Sequence, residues 1–167
     1  MNFNINASLF VVFVLASLHV TSTMSCNIES YVGKKYVLKQ SEHFDEFLKA
    51  IGMGYIKRTL ANSATPTFYV QKRADGNYLI SESTFSNTAQ RITADSESPV
   101  SYDTPDGRKV NTSFKTNGCV LTETQIEPND VKTIITRTFS DDEVKMTIEY
   151  SKGGKHVVTA TRIYKKI

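Results

Sequence analysis

The sequence predicts an all-β fold, a ten-stranded antiparallel up-and-down β-barrel capped by a short helix-turn-helix lid. After Pro66 the apolar residues recur with a period of two, and turn-forming pairs follow one another at intervals of 9 to 13 residues. Eight such pairs join nine strands, and the segment "KKYVLKQS" supplies a tenth before the helices. Because closure removes both edges of a sheet, this series of short strands favours a barrel. The turn-forming pairs are Asp75-Gly76, Ser86-Asn87, Asp95-Ser96, Asp106-Gly107, Asn117-Gly118, Pro128-Asn129, Asp141-Asp142 and Gly153-Gly154.

The composition is that of one globular domain, with 167 residues of which 40% are hydrophobic and 22% charged. The net charge of +3 is spread along the chain, whereas a nucleic-acid surface needs a clustered basic stripe, so no nucleic-acid partner is expected. His43 and Asp45 stand near a predicted helix start without a nucleophile motif around them, and no enzymatic activity is expected. No residue spacing fits a metal site, and no cofactor is expected.

The N-terminal stretch has a different character, because residues 1–33 contain no Lys or Arg. Its apolar run "ASLFVVFVLASLHV" is shorter than the roughly 20 residues that span a bilayer, and it fits the apolar part of a secretory signal peptide cut after Ser22. We therefore expect an export segment over residues 1–22, a β-barrel over residues 24–167 and a secreted protein. The alternative is translation from Met24, which would leave the protein in the cytoplasm.

Two cysteines, Cys26 and Cys119, are too few for a disulfide framework, and we expect two free thiols, although export would favour their pairing. Asn111-Thr112-Ser113 is a glycosylation acceptor pattern that matters only for an exported chain.

Two short helices are predicted between the first strand and Pro66. Apolar residues at i, i+3, i+4 and i+7 define one face of the first helix, and Gly52 and Gly54 end it. The second helix runs from Tyr55 to about Ser63. The apolar face of the first helix consists of Phe44, Phe47, Leu48 and Ile51.

Basic residues lie on or beside the exposed faces of this helical lid, at Lys49, Lys57 and Arg58. Each basic residue near an anionic bilayer contributes about 1 kcal/mol of attraction at best. The lid is therefore expected to make a transient membrane contact.

Three of the predicted strands place an arginine in line with apolar or small side chains, at Arg108, Arg137 and Arg162. In the closing segment "HVVTATRIYKKI", alternation along a strand puts Arg162 and Tyr164 on the same face. Such arginines are either surface residues with flat-lying stems or members of an interior site.

Dispersed motifs in this order resemble the intracellular fatty-acid-binding protein family, the cytosolic lipid-binding proteins of the calycin superfamily, which includes cellular retinoid carriers. The motifs are "KKYVLKQSEHFDEFLKAI", "GMGYIKRTLANSATP", "ISESTFSNT", "TPDGRKV", "TRTFSDDE" and "TRIYKKI". They lie within residues 31–167, nearly the whole mature chain. The resemblance implies a monomeric, ten-stranded, lipocalin-like barrel around a water-filled cavity that carries long-chain lipids.

The resemblance also implies the site residues. The ligand carboxylate would be bound by Arg137, Arg162 and Tyr164, since guanidinium groups match a carboxylate in shape and charge. Because buried arginines without a counter-charge are costly, an anionic ligand is expected to complete the site. The other cavity and portal residues would be Phe44, Phe47, Met53, Leu60, Phe85, Asp106 and Arg108.

The expected function is binding and transport of long-chain fatty acids. A buried methylene contributes about 0.8 kcal/mol, so a long tail supplies most of the affinity and the arginines set orientation. Retinol is disfavoured, since a neutral head group would not need two cations. The alternatives are a retinoic acid carrier and a secreted β-barrel that binds a protein and no lipid.

Overall fold

The computed structural model describes residues 26–84, 88–93 and 99–167, without the side chains of residues 91–93. The predicted export segment and the predicted portal residue Phe85 lie outside the described residues. After a short N-terminal 3-10 helix, Ile28–Tyr31, come ten strands and two helices. In chain order they are β1 (Lys35–Glu42), α1 (Phe44–Ala50), α2 (Tyr55–Ser63), β2 (Thr67–Lys72), β3 (Tyr78–Ser83), β4 (Thr88–Thr93), β5 (Val100–Asp103), β6 (Lys109–Asn117), β7 (Val120–Glu127), β8 (Val131–Phe139), β9 (Glu143–Lys152) and β10 (Lys155–Lys166).

The strands form one antiparallel sheet in the order β4-β3-β2-β1-β10-β9-β8-β7-β6-β5. The ten strands and the helix pair confirm the predicted fold class. The expectation that closure removes both sheet edges is wrong for the described residues, because β4 and β5 are the end strands and do not pair with each other. Two features of β5 limit its pairing: it has only four residues, and Pro99 directly before it has no N–H to donate.

One end of the barrel is closed by the N-terminal 3-10 helix. Asn27 caps this helix through its side chain, and the backbone N–H of Ile28 donates to the carbonyl of Gly118 in the β6–β7 turn over 3.1 Å. Two residues of the helix itself, Ile28 and Tyr31, are buried, with exposed fractions of 1% and 6%. We refer to this region, residues 26–31 with the turn they cover, as the sealed end.

A disulfide joins Cys26 to Cys119 at the sealed end, with their Cα atoms 5.2 Å apart. The prediction of two free thiols is therefore wrong. The two residues are 93 positions apart in sequence, and they meet because the β6–β7 turn lies against the N-terminal 3-10 helix. A pairing decided by tertiary contact leaves no local signal in the sequence.

Four aromatic rings fill the barrel interior inward from the sealed end. Tyr31 stacks on Phe139 with centroids 5.4 Å apart, Phe139 lies 6.0 Å from Phe68, and Phe68 lies 5.7 Å from Tyr164. All four side chains are buried. We call this set the aromatic column; it gives the sealed half of the barrel a solid core and ends at the Tyr164 ring.

The two helices cover the opposite end of the barrel, where α1 contacts β10. Phe47 and Leu48 of α1 are buried, whereas α2 has no buried residue. The helices are joined by the carboxylate of Asp45, which accepts hydrogen bonds from Arg58 over 3.0 Å and Asn62 over 2.8 Å. Within the described ranges neither helix has the length and apolar character needed to cross a membrane.

Candidate ligand-binding site

A cavity of about 250 Å³ lies between the helices and the aromatic column. Ile135, Met146 and Ile148 supply apolar wall from the strands, while polar side chains from β3, β7, β8 and β10 and from the β5–β6 turn border the same space. The cavity is therefore apolar towards the lid and carries charged groups along its inner wall. Its helical-side lining consists of Phe44, Phe47, Leu48, Met53 and Ala61.

Arg162 lines this cavity, and Tyr164, which shares a face of β10 with it by strand alternation, is fully buried next to the cavity. The guanidinium of Arg162 lies 4.3 Å from the centroid of the Phe44 ring of α1, which is a cation–π contact. Its Nε donates to the hydroxyl of Ser41 over 3.3 Å, and Ser41 is its partner on β1. Arg162 is thus held between the lid and the wall, with 7% of its surface exposed.

The carboxylate of Glu82 occupies the space between these two residues. The Tyr164 hydroxyl donates to Glu82 Oε1 over 2.5 Å, and Arg162 Nη1 lies 3.5 Å from the same oxygen. Glu82 faces inward because it pairs across β2 with buried Phe68. Burial, together with the negative charge of Glu82, holds the pKa of Tyr164 well above its ordinary value, so the phenol stays protonated as a donor.

Arg137 also lines the cavity and forms a separate ion pair. Its Nη2 lies 2.9 Å from Glu123 Oε2, and both side chains are fully buried. The amide of Gln125 donates to the other oxygen of Glu123 over 2.7 Å. Arg137 on β8 is opposite Leu121 on β7, so Glu123 is its diagonal neighbour on the same face of the sheet.

Each predicted carboxylate-binding arginine therefore has a carboxylate of the chain itself beside it. The premise that these arginines lack counter-charges within the chain is wrong, because Glu82 and Glu123 supply them. That Arg137, Arg162 and Tyr164 bind a ligand carboxylate stays a prediction. Both acidic residues were missed from the sequence. For Glu123 a signal was present, since alternation in "LTETQ" puts Leu121, Glu123 and Gln125 on one face.

Asp106 and Arg108, the predicted acidic and basic pair, are brought together beside the β5–β6 turn. Arg108 makes two hydrogen bonds to the Asp106 carboxylate, of 2.8 and 3.0 Å, and Glu127 accepts a third over 2.8 Å. Burial alone would raise the pKa of Asp106, but the hydrogen bonds from Arg108 and Thr104 outweigh it and lower that pKa. This cluster forms a rigid rim of the cavity.

The predicted helix residues divide into two groups. Phe44, Phe47 and Met53 line the cavity, whereas Leu60 does not, because 65% of its surface is exposed. Ala61 lines the cavity in its place, since consecutive helical residues point about 100° apart. The described residues hold no group of three or more side chains suited to a metal ion.

Fold and site together define a small β-barrel with an internal cavity beneath a helical lid. The chain matches the model of the lipocalin / cytosolic fatty-acid binding protein family over residues 32–167, and it belongs to that family.

Individual relatives agree with this assignment. Sodium/calcium exchanger regulatory protein 1 of Doryteuthis pealeii is 32% identical over 133 residues, which are 80% of this chain and 94% of that protein. The fatty-acid-binding protein of Drosophila melanogaster brain superposes with a TM-score of 0.72 at 32% identity, covering 81% of this chain and 98% of its own. The Schistosoma mansoni fatty-acid-binding protein in complex with arachidonic acid superposes with a TM-score of 0.72 at 27% identity, covering 84% and 98%.

Proposed function

We propose that this protein binds long-chain fatty acids, or lipids of similar shape, in the cavity beneath α1 and transports them as a non-enzymatic monomeric carrier. One observation carries the proposal: a cavity with apolar lining on the lid side is bordered by Arg162, and the Tyr164 hydroxyl lies next to it across Glu82, so that groups able to hold a polar head group adjoin the cavity. The relatives described as fatty-acid-binding proteins, one of them in complex with arachidonic acid, support the same ligand class.

In this proposal the tail lies against Phe44, Phe47 and Met53, and the head group reaches Arg162 and Tyr164. Arg137 adds its charge to the same cavity wall, with its Nη2 bound to Glu123. Each buried methylene contributes about 0.8 kcal/mol, and a charge-assisted hydrogen bond about 1.5–3 kcal/mol. A long tail therefore provides most of the affinity, and the head-group residues determine orientation and selectivity.

The direct test is native mass spectrometry of the protein purified from its own source. We expect one or two long-chain lipids bound per monomer. Delipidated protein should then bind the identified lipid in calorimetric titration. A protein that is folded, carries no lipid and binds none would contradict the proposal.

The same purified and delipidated protein distinguishes two other functions from this one. A retinoic acid carrier would show preference for that ligand over straight-chain acids in competition. A secreted β-barrel module for protein binding would carry no lipid and would retain its partner after delipidation. The apolar lining on the lid side favours the lipid carriers over the protein module, because a solid-core module would fill that space.

We further propose that the protein is secreted, with an export segment at residues 1–22. The Cys26–Cys119 disulfide supports this, because disulfides persist in oxidising compartments. Asn111 is exposed on β6, as a glycan acceptor must be. N-terminal sequencing of the native protein should find a start near Thr23; a start at Met24 with retention in the cytoplasm would support the alternative.

We also propose transient membrane contact through the lid. The residues that make it differ from the three basic residues expected from the sequence. Lys49 and Lys57 are exposed, but Arg58 is paired with Asp45 and its side chain is only 16% exposed. The outer face of α2 adds apolar groups at Tyr55, Ile56 and Leu60, which are 74%, 76% and 65% exposed. Apolar side chains backed by basic ones are typical of surfaces that bind at a bilayer interface.

Ligand transfer to vesicles tests this contact. Transfer should accelerate as the anionic lipid content of the vesicles rises. The double variant Lys49→Glu, Lys57→Glu should reduce that acceleration, and so should the single variant Leu60→Ser. Lys115→Glu, on exposed β6 residue Lys115, is the matched control. Transfer independent of vesicle composition in the unaltered protein would contradict the contact.

A further inference from the structure

The carboxylate of Glu82 lies where the head group of the proposed ligand would bind. Its Oε1 accepts the hydrogen bond of the Tyr164 hydroxyl over 2.5 Å and lies 3.5 Å from Arg162 Nη1. A phenol has one proton to donate, so a Tyr164 hydroxyl that binds Glu82 does not donate to a ligand at the same time. Glu82 also borders the cavity, with 17% of its side chain exposed.

The surroundings of Glu82 hold it in this position. Its partner on β2 is the buried ring of Phe68, and its partner on β4 is Ala89. The charged and titratable groups that face it from β10 are Arg162 and Tyr164, and the charge of Arg137 on β8 also acts on the Tyr164 phenol. The Arg162 guanidinium is fixed in turn by Phe44 and Ser41.

The interaction of Glu82 with a bound lipid depends on whether the lipid head group is charged. A ligand carboxylate brings a second negative charge to the groups that Glu82 already binds, and two like charges at contact distance repel. A hydroxyl head group brings no charge, and it can donate a hydrogen bond to a carboxylate oxygen of Glu82, which accepts several.

We propose that Glu82 is a specificity-determining residue: its carboxylate competes with a ligand carboxylate for Tyr164 and Arg162, whereas a lipid with a hydroxyl head group binds beside it as a hydrogen-bond donor. The inference rests on the proposed function and names the selectivity of the same site. Acids bind by displacing Glu82, and long-chain alcohols bind without displacing it.

The Arg137–Glu123 pair does not act in the same way. Both of its side chains are fully buried, and the Gln125 amide occupies the second oxygen of Glu123. Glu82 is partly exposed and bridges a tyrosine from the aromatic column and an arginine beneath the lid. Selection by displacement is therefore assigned to Glu82 alone of these two acidic residues.

The test is titration of the delipidated full-length mature protein with palmitate, hexadecanol and methyl palmitate at one neutral pH. The variants are Glu82→Gln, which keeps the shape and removes the charge, and Glu82→Ala, which removes the whole head. Glu149→Gln, on an exposed residue of β9, is the matched control. Near-ultraviolet circular dichroism checks that each variant retains its tertiary structure, and Glu82→Ala serves if Glu82→Gln does not fold.

We expect Glu82→Gln to raise palmitate affinity on the order of tenfold, since it removes the repulsion between two carboxylates. Hexadecanol affinity should fall by about threefold, because a neutral acceptor replaces a charged one. Glu149→Gln should change neither. The measured quantity is the palmitate-to-hexadecanol affinity ratio, which a purely structural role of Glu82 would leave constant.

An unchanged ratio in both Glu82 variants, or a loss of palmitate affinity on removal of the charge, would overturn the inference and leave the proposed function intact. Failure of the folded wild type to bind any of the three lipids would overturn the proposed function and this inference with it.

Discussion

At the sealed end of the barrel a disulfide, a capped 3-10 helix and the stacked rings of Tyr31 and Phe139 lock the chain in place. At the lid end α1 buries Phe47 and Leu48, α2 buries nothing, and the helices are linked through the exposed carboxylate of Asp45. One end is therefore held by a covalent bond and a packed aromatic core, and the other by two buried side chains of α1 and by hydrogen bonds at the surface.

This difference indicates which end of the barrel opens more easily. Opening the sealed end would break a covalent bond or a packed core, whereas moving α2 breaks the hydrogen bonds to the half-exposed Asp45 carboxylate and uncovers no buried side chain of α2. Regions with few buried contacts open at low free-energy cost. The charged residues along the inner wall of the cavity lie between these ends, where Tyr164 terminates the aromatic column.

The largest expected effect is on the free energy of unfolding, compared between one phenylalanine-to-alanine substitution at each end of the barrel. Phe139→Ala should lower the free energy of unfolding by about 3–5 kcal/mol, because it leaves a cavity between Tyr31 and Phe68. Phe44→Ala at the lid should cost less than half as much, since Phe44 is only partly buried. Urea unfolding measures both; equal losses would contradict the contrast between the ends.

Loss of the disulfide comes next. Cys26→Ala with Cys119→Ala should lower the free energy of unfolding by about 2–5 kcal/mol, because the bond closes a loop whose ends are 93 residues apart. Reduction of the wild type should reproduce the loss, and a reductant should not affect the double variant. Identical unfolding midpoints for oxidised and reduced protein would show that the sealed end does not depend on the bond.

A smaller effect is expected on ligand affinity at the lid side. Arg162→Gln should weaken palmitate binding by about 1.5–3 kcal/mol, the contribution of a charge-assisted hydrogen bond, and weaken hexadecanol binding much less. Arg73→Gln, at an exposed Arg73–Asp75 pair near the sealed end, is the control. Calorimetry of both ligands decides the matter, since equal losses would mean that Arg162 is structural.

The smallest effect concerns the Asp106–Arg108 rim and is pH-dependent. The folded-state pKa of Asp106 lies below its ordinary value, so its stabilisation is present above the ordinary pKa of 3.8 and is lost as the pH falls through the lowered folded-state value. Asp106→Asn should therefore cost about 1–2 kcal/mol at pH 7 and progressively less in acid. The measurement is thermal unfolding of both proteins from pH 7 to pH 2; a constant difference would contradict this assignment.

The strand pattern was predictable because it depends on local chemistry. Turn pairs such as Asp75-Gly76 and Asn117-Gly118 place glycine at positive φ, 83° and 57°, where side chains are disfavoured. Two-residue alternation then decides which side chains share a face, and it placed Arg162 with Tyr164. The inward direction of Phe44 and Phe47 follows similarly from helical spacing.

Predictions failed where a residue's surroundings come from a distant strand or helix. The orientation of Leu60 depended on how α2 sits against α1, which the Asp45 hydrogen bonds determine and the helical period does not. The disulfide depended on the approach of the N-terminal 3-10 helix to the β6–β7 turn. Neither contact has a counterpart within a short stretch of sequence.

Within the described residues, the sequence by itself determined the number of strands, the positions of the turns and the residue types available to an internal site, since these follow from backbone preference and side-chain period. The predicted turns Ser86-Asn87 and Asp95-Ser96 lie outside those residues. Only the tertiary structure decided the electrostatics of that site. Glu82 and Arg162 are 80 residues apart, and Glu123 and Arg137 are 14 apart on neighbouring strands. Coulombic interaction falls with distance and is strengthened by burial. The distance between two such charges and their burial are fixed only once the sheet has formed.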